Sequence, residues 1–281
     1  MTTVQAVRAV TAVRAVAIGA VITALTAGTA STAAAQDFSW KGRVASGKRL
    51  EVKGVNGDIQ ASLASGNEIE VTARKHSRRS DPDEVEIRVV EHEDGVTICA
   101  VYPTPRRARR ENNCEPGDHW HSSTENNDVA VDFTVKVPAG VIASVQTVNG
   151  EVEAEGLKGD VEASTVNGSV TVSTSGLAEA STVNGSINVS MGRADFHDAE
   201  FSTVNGGITL EMPADLSAEI RAETLNGDIE SDFPMTIEGR RRYSPRRIVG
   251  TIGTNQGSGR TLYLKTVNGS LRLRKLGAAA R

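Results

Sequence analysis

The chain has 281 residues, and its 31 basic and 35 acidic side chains give a formal charge of −4. That balance argues against nucleic acid as the main partner, which calls for a strong basic excess. Aromatic residues are only 4% of the chain while glycine reaches 27. A wide core of large rings is therefore excluded, and a narrow one of Val, Ile, Leu and Ala, broken by many turns, is expected.

Residues 1–35 read as a secretory signal peptide. Arg8 and Arg14 supply the basic start, residues 15–28 the apolar stretch, and Ala33, Ala34 and Ala35 the small residues of a cleavage site. The apolar run is shorter than the ~20 residues a membrane span needs. No Cys follows the expected cut, so a lipid anchor is not indicated, and no later apolar run could span a bilayer. The expectation is an exported chain, periplasmic or extracellular after cleavage near Ala35.

Residues 36–140 are expected to form an N-terminal β region. Leu50, Val52, Ile59 and Ala61 alternate with polar residues around Asn56-Gly57, which reads as a first repeat unit. Segments 67–75, 84–91, 95–102 and 129–137 read as strands whose spacing suggests hairpins, with a turn at Glu93-Asp94-Gly95. Residues 103–128 have no periodicity and read as a long mobile loop.

Residues 141–276 carry the strongest signal, an internal repeat. Asn-Gly recurs at Asn149, Asn167, Asn184, Asn205, Asn226 and Asn268, with spacings of 18, 17, 21, 21 and 42. The last spacing is twice 21, so a degenerate unit is expected between Asn226 and Asn268. Two, four and six residues before each Asn stand a Thr and then apolar residues, such as Thr165, Ala163 and Val161. Three and five residues after stand further apolar residues, such as Val170 and Val172. Period-two alternation on both sides of a V-N-G corner describes two half-buried strands per unit.

One such unit cannot bury its apolar face alone, whereas stacked units bury a continuous column. The expected architecture is an all-β parallel solenoid of 17–21-residue rungs with an N-terminal antiparallel portion. Stacking would align Val148, Val166, Val183, Val204, Leu225 and Val267 as an apolar ladder and the asparagines as a hydrogen-bonded amide ladder. Asn-Gly is also the strongest short hairpin signal, so an antiparallel meander is the competing fold. Residues 232–247, with Pro234, Pro245 and the run Arg240-Arg241-Arg242, interrupt the repeat. Arg272, Arg274 and Lys275 precede the tail, 277–281, and would blunt a last open edge.

Cys99 and Cys114 are the only cysteines. In an exported chain they would most simply form a disulfide. A metal site from Cys114, His119 and His121 is the weaker alternative, because C-x4-H-x-H is not a strong zinc spacing. Arg106, Arg107, Arg109 and Arg110 make a dense basic patch in the same loop, either a solvated run or a contact for anionic polymers or lipid headgroups.

The repeated T-V-N-G-x-I/V units and the ending IGTNQGSGRTLYLKTVNGSLRLRKL resemble bacterial putative-adhesin domains of unknown function, also described as β-strand-repeat domains. The resemblance covers about residues 38–276 and implies an exported, envelope-associated β-solenoid without a catalytic motif. It does not extend to the Cys/His loop.

The sequence thus points to a non-catalytic scaffold or adhesion module of the cell envelope, whose partner would be an envelope polymer or a surface protein. No cofactor is implied. The alternative is a β-helical carbohydrate-active enzyme, a lyase or hydrolase, since such folds host both. Against it, Glu151, Glu153, Asp160 and Glu162 alternate with buried positions as surface residues do, and no catalytic triad or phosphate loop is present.

Overall fold

The structure is a computed structural model that describes residues 38–196, 198–237, 243–244, 246–254 and 259–277. The expected signal peptide, His197, Arg240–Arg242 and residues 278–281 lie outside the described residues.

The alternating, β-branched segments form strands, as half-buried pleats favour. In chain order the first are β1 (Phe38–Gly42), β2 (Arg49–Lys53), β3 (Ile59–Leu63), β4 (Ile69–His76), β5 (Glu86–His92), β6 (Gly95–Val101) and β7 (Ala130–Val137). Then come β8 (Ile142–Gln146), β9 (Val152–Leu157), β10 (Val161–Ser164), β11 (Val170–Thr174), β12 (Ala178–Ser181), β13 (Ile187–Met191), β14 (Asp198–Ser202) and β15 (Ile208–Met212). The last are β16 (Ala218–Asn226), β17 (Ile229–Ser231), β18 (Met235–Thr236), β19 (Tyr243–Ser244), β20 (Arg247–Ile252), β21 (Thr261–Asn268) and β22 (Leu271–Lys275).

These strands build two facing sheets. The front sheet runs β18-β20-β16-β21-β14-β12-β10-β8-β2-β6-β5, with β19 also paired to β20. The back sheet runs β1-β4-β7-β3-β9-β11-β13-β15-β22-β17. From β2 to β16 in front, and from β3 to β17 behind, every neighbouring pair is parallel. Each rung places one strand in each sheet, joined by an Asn-Gly corner. Val161, Ala163, Val170, Val172, Ile187, Phe201, Ile208 and Leu210, all nearly solvent-free, belong to the core between the sheets.

The corner explains its own composition. Thr165, Thr182 and Thr203 are buried, and their hydroxyls donate to the carbonyls of Gly150, Gly168 and Gly185 one rung away, at 2.9 Å each. The asparagine amides form a continuous file. Nδ2 of Asn149, Asn167, Asn184 and Asn205 donates to Oδ1 of the preceding rung's Asn at 2.8 Å in each case. A Cβ on Gly168, Gly185 or Gly206 would collide with the carbonyl oxygen of Gly150, Gly168 or Gly185. Glycine is therefore required here by the close approach of the next rung, not by a hairpin turn. The Val column faces outward, with Val166, Val183 and Val204 at 38%, 39% and 39% exposure.

Three expectations need correction. The described residues of 232–252 form no degenerate rung: β20 runs antiparallel to β16, and β18 and β19 run antiparallel to β20. The rung of Asn268 does not end the column either, because it lies between the rungs of Asn205 and Asn226. Arg272 and Arg274 therefore do not guard an open edge, and both pair with Glu230, Arg274 also with Asp232. Finally, the segments between Asn56 and Asn149 are not only hairpins. β5–β6 and β4–β7 pair antiparallel, but β6 lies parallel to β2 and β7 parallel to β3. β6 and β7 thus add a rung whose corner is replaced by the long loop 103–128.

Candidate functional site

The loop between β6 and β7 is fastened to the front sheet rather than left loose. Cys99 of β6 and Cys114 form a disulfide with a Cα–Cα distance of 5.6 Å. Trp120 packs against that bridge and Val101. Tyr102 is buried and its hydroxyl donates to the Val129 carbonyl at 2.8 Å. Burial pushes the Tyr102 phenol up to about 12, so it stays a donor through the physiological range. Asn112 crosses the loop, donating to the Tyr102 and Ser123 carbonyls and accepting from the Ser123 N–H.

A buried ion pair completes the attachment. Glu51 and Lys53 are outward residues of β2, yet they are 5% and 3% exposed because the loop covers them. Lys53 Nζ lies 3.0 Å from Glu51 Oε2 and donates to the carbonyls of Glu115 and Gly117 at 3.0 and 2.7 Å. Glu51 also accepts from Thr97 Oγ1 and from the Gly117 N–H. Burial alone would raise the Glu51 carboxyl, but the bonds from Thr97, Lys53 and Gly117 outweigh it and hold the group below its ordinary value. A buried pair with its lone pairs and protons satisfied in this way is a fixed joint.

Arg106, Arg107, Arg109 and Arg110 stand exposed on this loop. None of the four forms an ion pair among the described residues. They are concentrated positive charge on an anchored support. His119 and His121 are held through their backbones, the His119 carbonyl accepting from Asn113 Nδ2 and the His121 N–H donating to Asn113 Oδ1. With the Cys114 sulfur committed to Cys99, the three are not brought together as ligands. No group of three His, Cys, Asp or Glu placed to hold a metal occurs among the described residues.

The loop also walls a groove of about 760 Å³ on the outer face of the front sheet. Its floor carries Glu162, Glu179 and Glu200 on three successive strands, beside Ser164, Ser181 and Ser202. Arg49 forms a close ion pair with Glu162. Burial, and then the charges of Glu162 and Glu200, raise the Glu179 carboxyl. Sequence patterning placed Glu162 outward but gave no signal for the groove, because its wall comes from a distant segment. The Glu51–Lys53 joint was missed for the same reason.

With stacked parallel rungs and their corner ladders established, the sequence pattern of the Toastrack DUF4097 family was found to match residues 121–274, more than half of the chain. The chain belongs to the Toastrack DUF4097 family. The Toastrack match begins beyond Cys114 and the four arginines, so the family pattern does not describe that part of the loop. Among curated proteins none matches the chain. Similar solved structures include a putative cell adhesion protein from Clostridium sporogenes ATCC 15579, 11% identical over 85% of this chain and 99% of that one, with a TM-score of 0.40. Another is a putative adhesin from Bacteroides fragilis NCTC 9343, 12% identical over 85% of this chain and 96% of that one, with a TM-score of 0.24. Similarity at this level leaves the function of this Toastrack chain to be argued from its residues. No helix among the described residues is long and apolar enough to cross a membrane.

Proposed function

We propose that the chain is an exported, non-catalytic binding module of the cell envelope, and that it holds an anionic envelope polymer through Arg106, Arg107, Arg109 and Arg110. The observation that carries this reading is four exposed, unpaired guanidinium groups on a loop anchored by a disulfide and a buried ion pair. Guanidinium groups suit phosphate and carboxylate because their fork matches both oxygens. A fixed support reduces the ordering cost of binding. A disulfide fits an oxidising compartment, in keeping with export.

Binding of the full chain to a soluble polyphosphate, and separately to vesicles containing phosphatidylglycerol, tests the proposal and distinguishes polymer from lipid. The expected result is polymer binding that weakens as salt rises and is lost when all four arginines become glutamine. Unchanged binding by that variant would overturn the assignment to the loop. Release of reducing ends from an envelope polysaccharide would overturn its non-catalytic part.

A further inference from the structure

Asn205 and Asn226 are 21 residues apart, the same interval that separates Asn184 from Asn205. A column that stacked strictly in chain order would seat the rung of Asn226 on that of Asn205. The structure instead places residues 261–275 between them. β21 is parallel to β14 on one side and to β16 on the other, and β22 likewise separates β15 from β17. The corner ladders follow the same order. Asn268 Nδ2 donates to Asn205 Oδ1 at 2.7 Å, and Asn226 Nδ2 donates to Asn268 Oδ1 at 2.8 Å. Thr266 donates to the Gly206 carbonyl and Thr224 to that of Gly269, each at 2.8 Å.

The outer rung, β16–β17, therefore pairs with the rest of the column only through the inserted one. Its side-chain contacts go to that segment too. Arg221 stacks on Tyr263, Glu230 and Asp232 pair with Arg274, and Phe233 lies beneath Lys275. Leu262, Leu264, Leu271 and Leu273 fill the slot at 0%, 2%, 1% and 3% exposure. β20 ends with Ile252 beside Ala218, and β21 starts with Thr261 beside Glu219, so only β16 separates the two ends. The strands of the inserted segment pair sideways with a rung on either side.

We propose that residues 261–275 are an exchangeable rung, and that a second copy of the chain donates its own rung to the same slot, giving a reciprocally swapped dimer. Every contact in the slot is the same whichever chain supplies the segment, so the exchange is nearly balanced in energy and governed by concentration. Such swapping closes on itself as a two-fold pair.

Two full-length versions carrying different mass tags, unfolded in denaturant with the disulfide intact and refolded together, test the idea. The expected product is a mixed species of twice the monomer mass, whose share rises with protein concentration during refolding. A second arm refolds the untagged full chain with a labelled peptide of residues 260–277. The expected result is peptide retained in an amount that rises with its excess and never exceeds one per chain, and loss of retention when the peptide carries Leu264→Asp. Refolding to monomer alone at every concentration, with no peptide retained, would overturn the proposal.

Discussion

At the scale of single residues, the corner Thr matters more than its small size suggests. Thr182 is buried, and its hydroxyl satisfies the Gly168 carbonyl at 2.9 Å. Valine has the same shape but leaves that half-buried carbonyl without its partner, which costs toward the low end of the about 1–3 kcal/mol of an unsatisfied buried polar group. Thr182→Val should therefore lower unfolding free energy by about that amount in a denaturant titration, despite its higher apolarity. The inward phase of the Thr column was legible in the sequence, because Thr shares parity with the apolar positions. The reason for Gly after each Asn was not. It depends on a carbonyl in the next rung, which is distant information for any single unit.

The element that sets this chain apart from a plain column is the loop of residues 103–128. Its composition suggested mobility, yet it is tied at Cys114, Asn112, Gly117 and Tyr102. The disulfide was expected from the sequence, but the other ties were not, and the strongest of them, Lys53 to Gly117, joins residues 64 apart in the chain. Removing one partner of a buried ion pair strands the other charge, at a cost of about 3–5 kcal/mol. Lys53→Met should destabilise the protein by that order, whereas Lys53→Met combined with Glu51→Leu should recover the part owed to the stranded charge and not the part owed to the Gly117, Glu115 and Thr97 groups left without partners. Chemical denaturation of the two variants checks this. Equal destabilisation of both would show that the pair is not the joint described.

Over the whole molecule, the parallel rungs were readable because period-two alternation and the corner repeat together at a near-constant interval. The order of the rungs was not readable. The segments at Asn205, Asn226 and Asn268 present the same alternation, so their apolar patterns fit one another in either order, and only the antiparallel β20 against β16 marks which rung is outermost. Intercalation places Leu264 in register with Phe201 on one side and Ala222 on the other. Methyl-labelled nuclear Overhauser spectra of the full chain read this directly. Leu264 methyl contacts to both the Phe201 ring and the Ala222 methyl, with no direct contact between Phe201 and Ala222, are the predicted result. A Phe201–Ala222 contact with Leu264 on only one of them would contradict it.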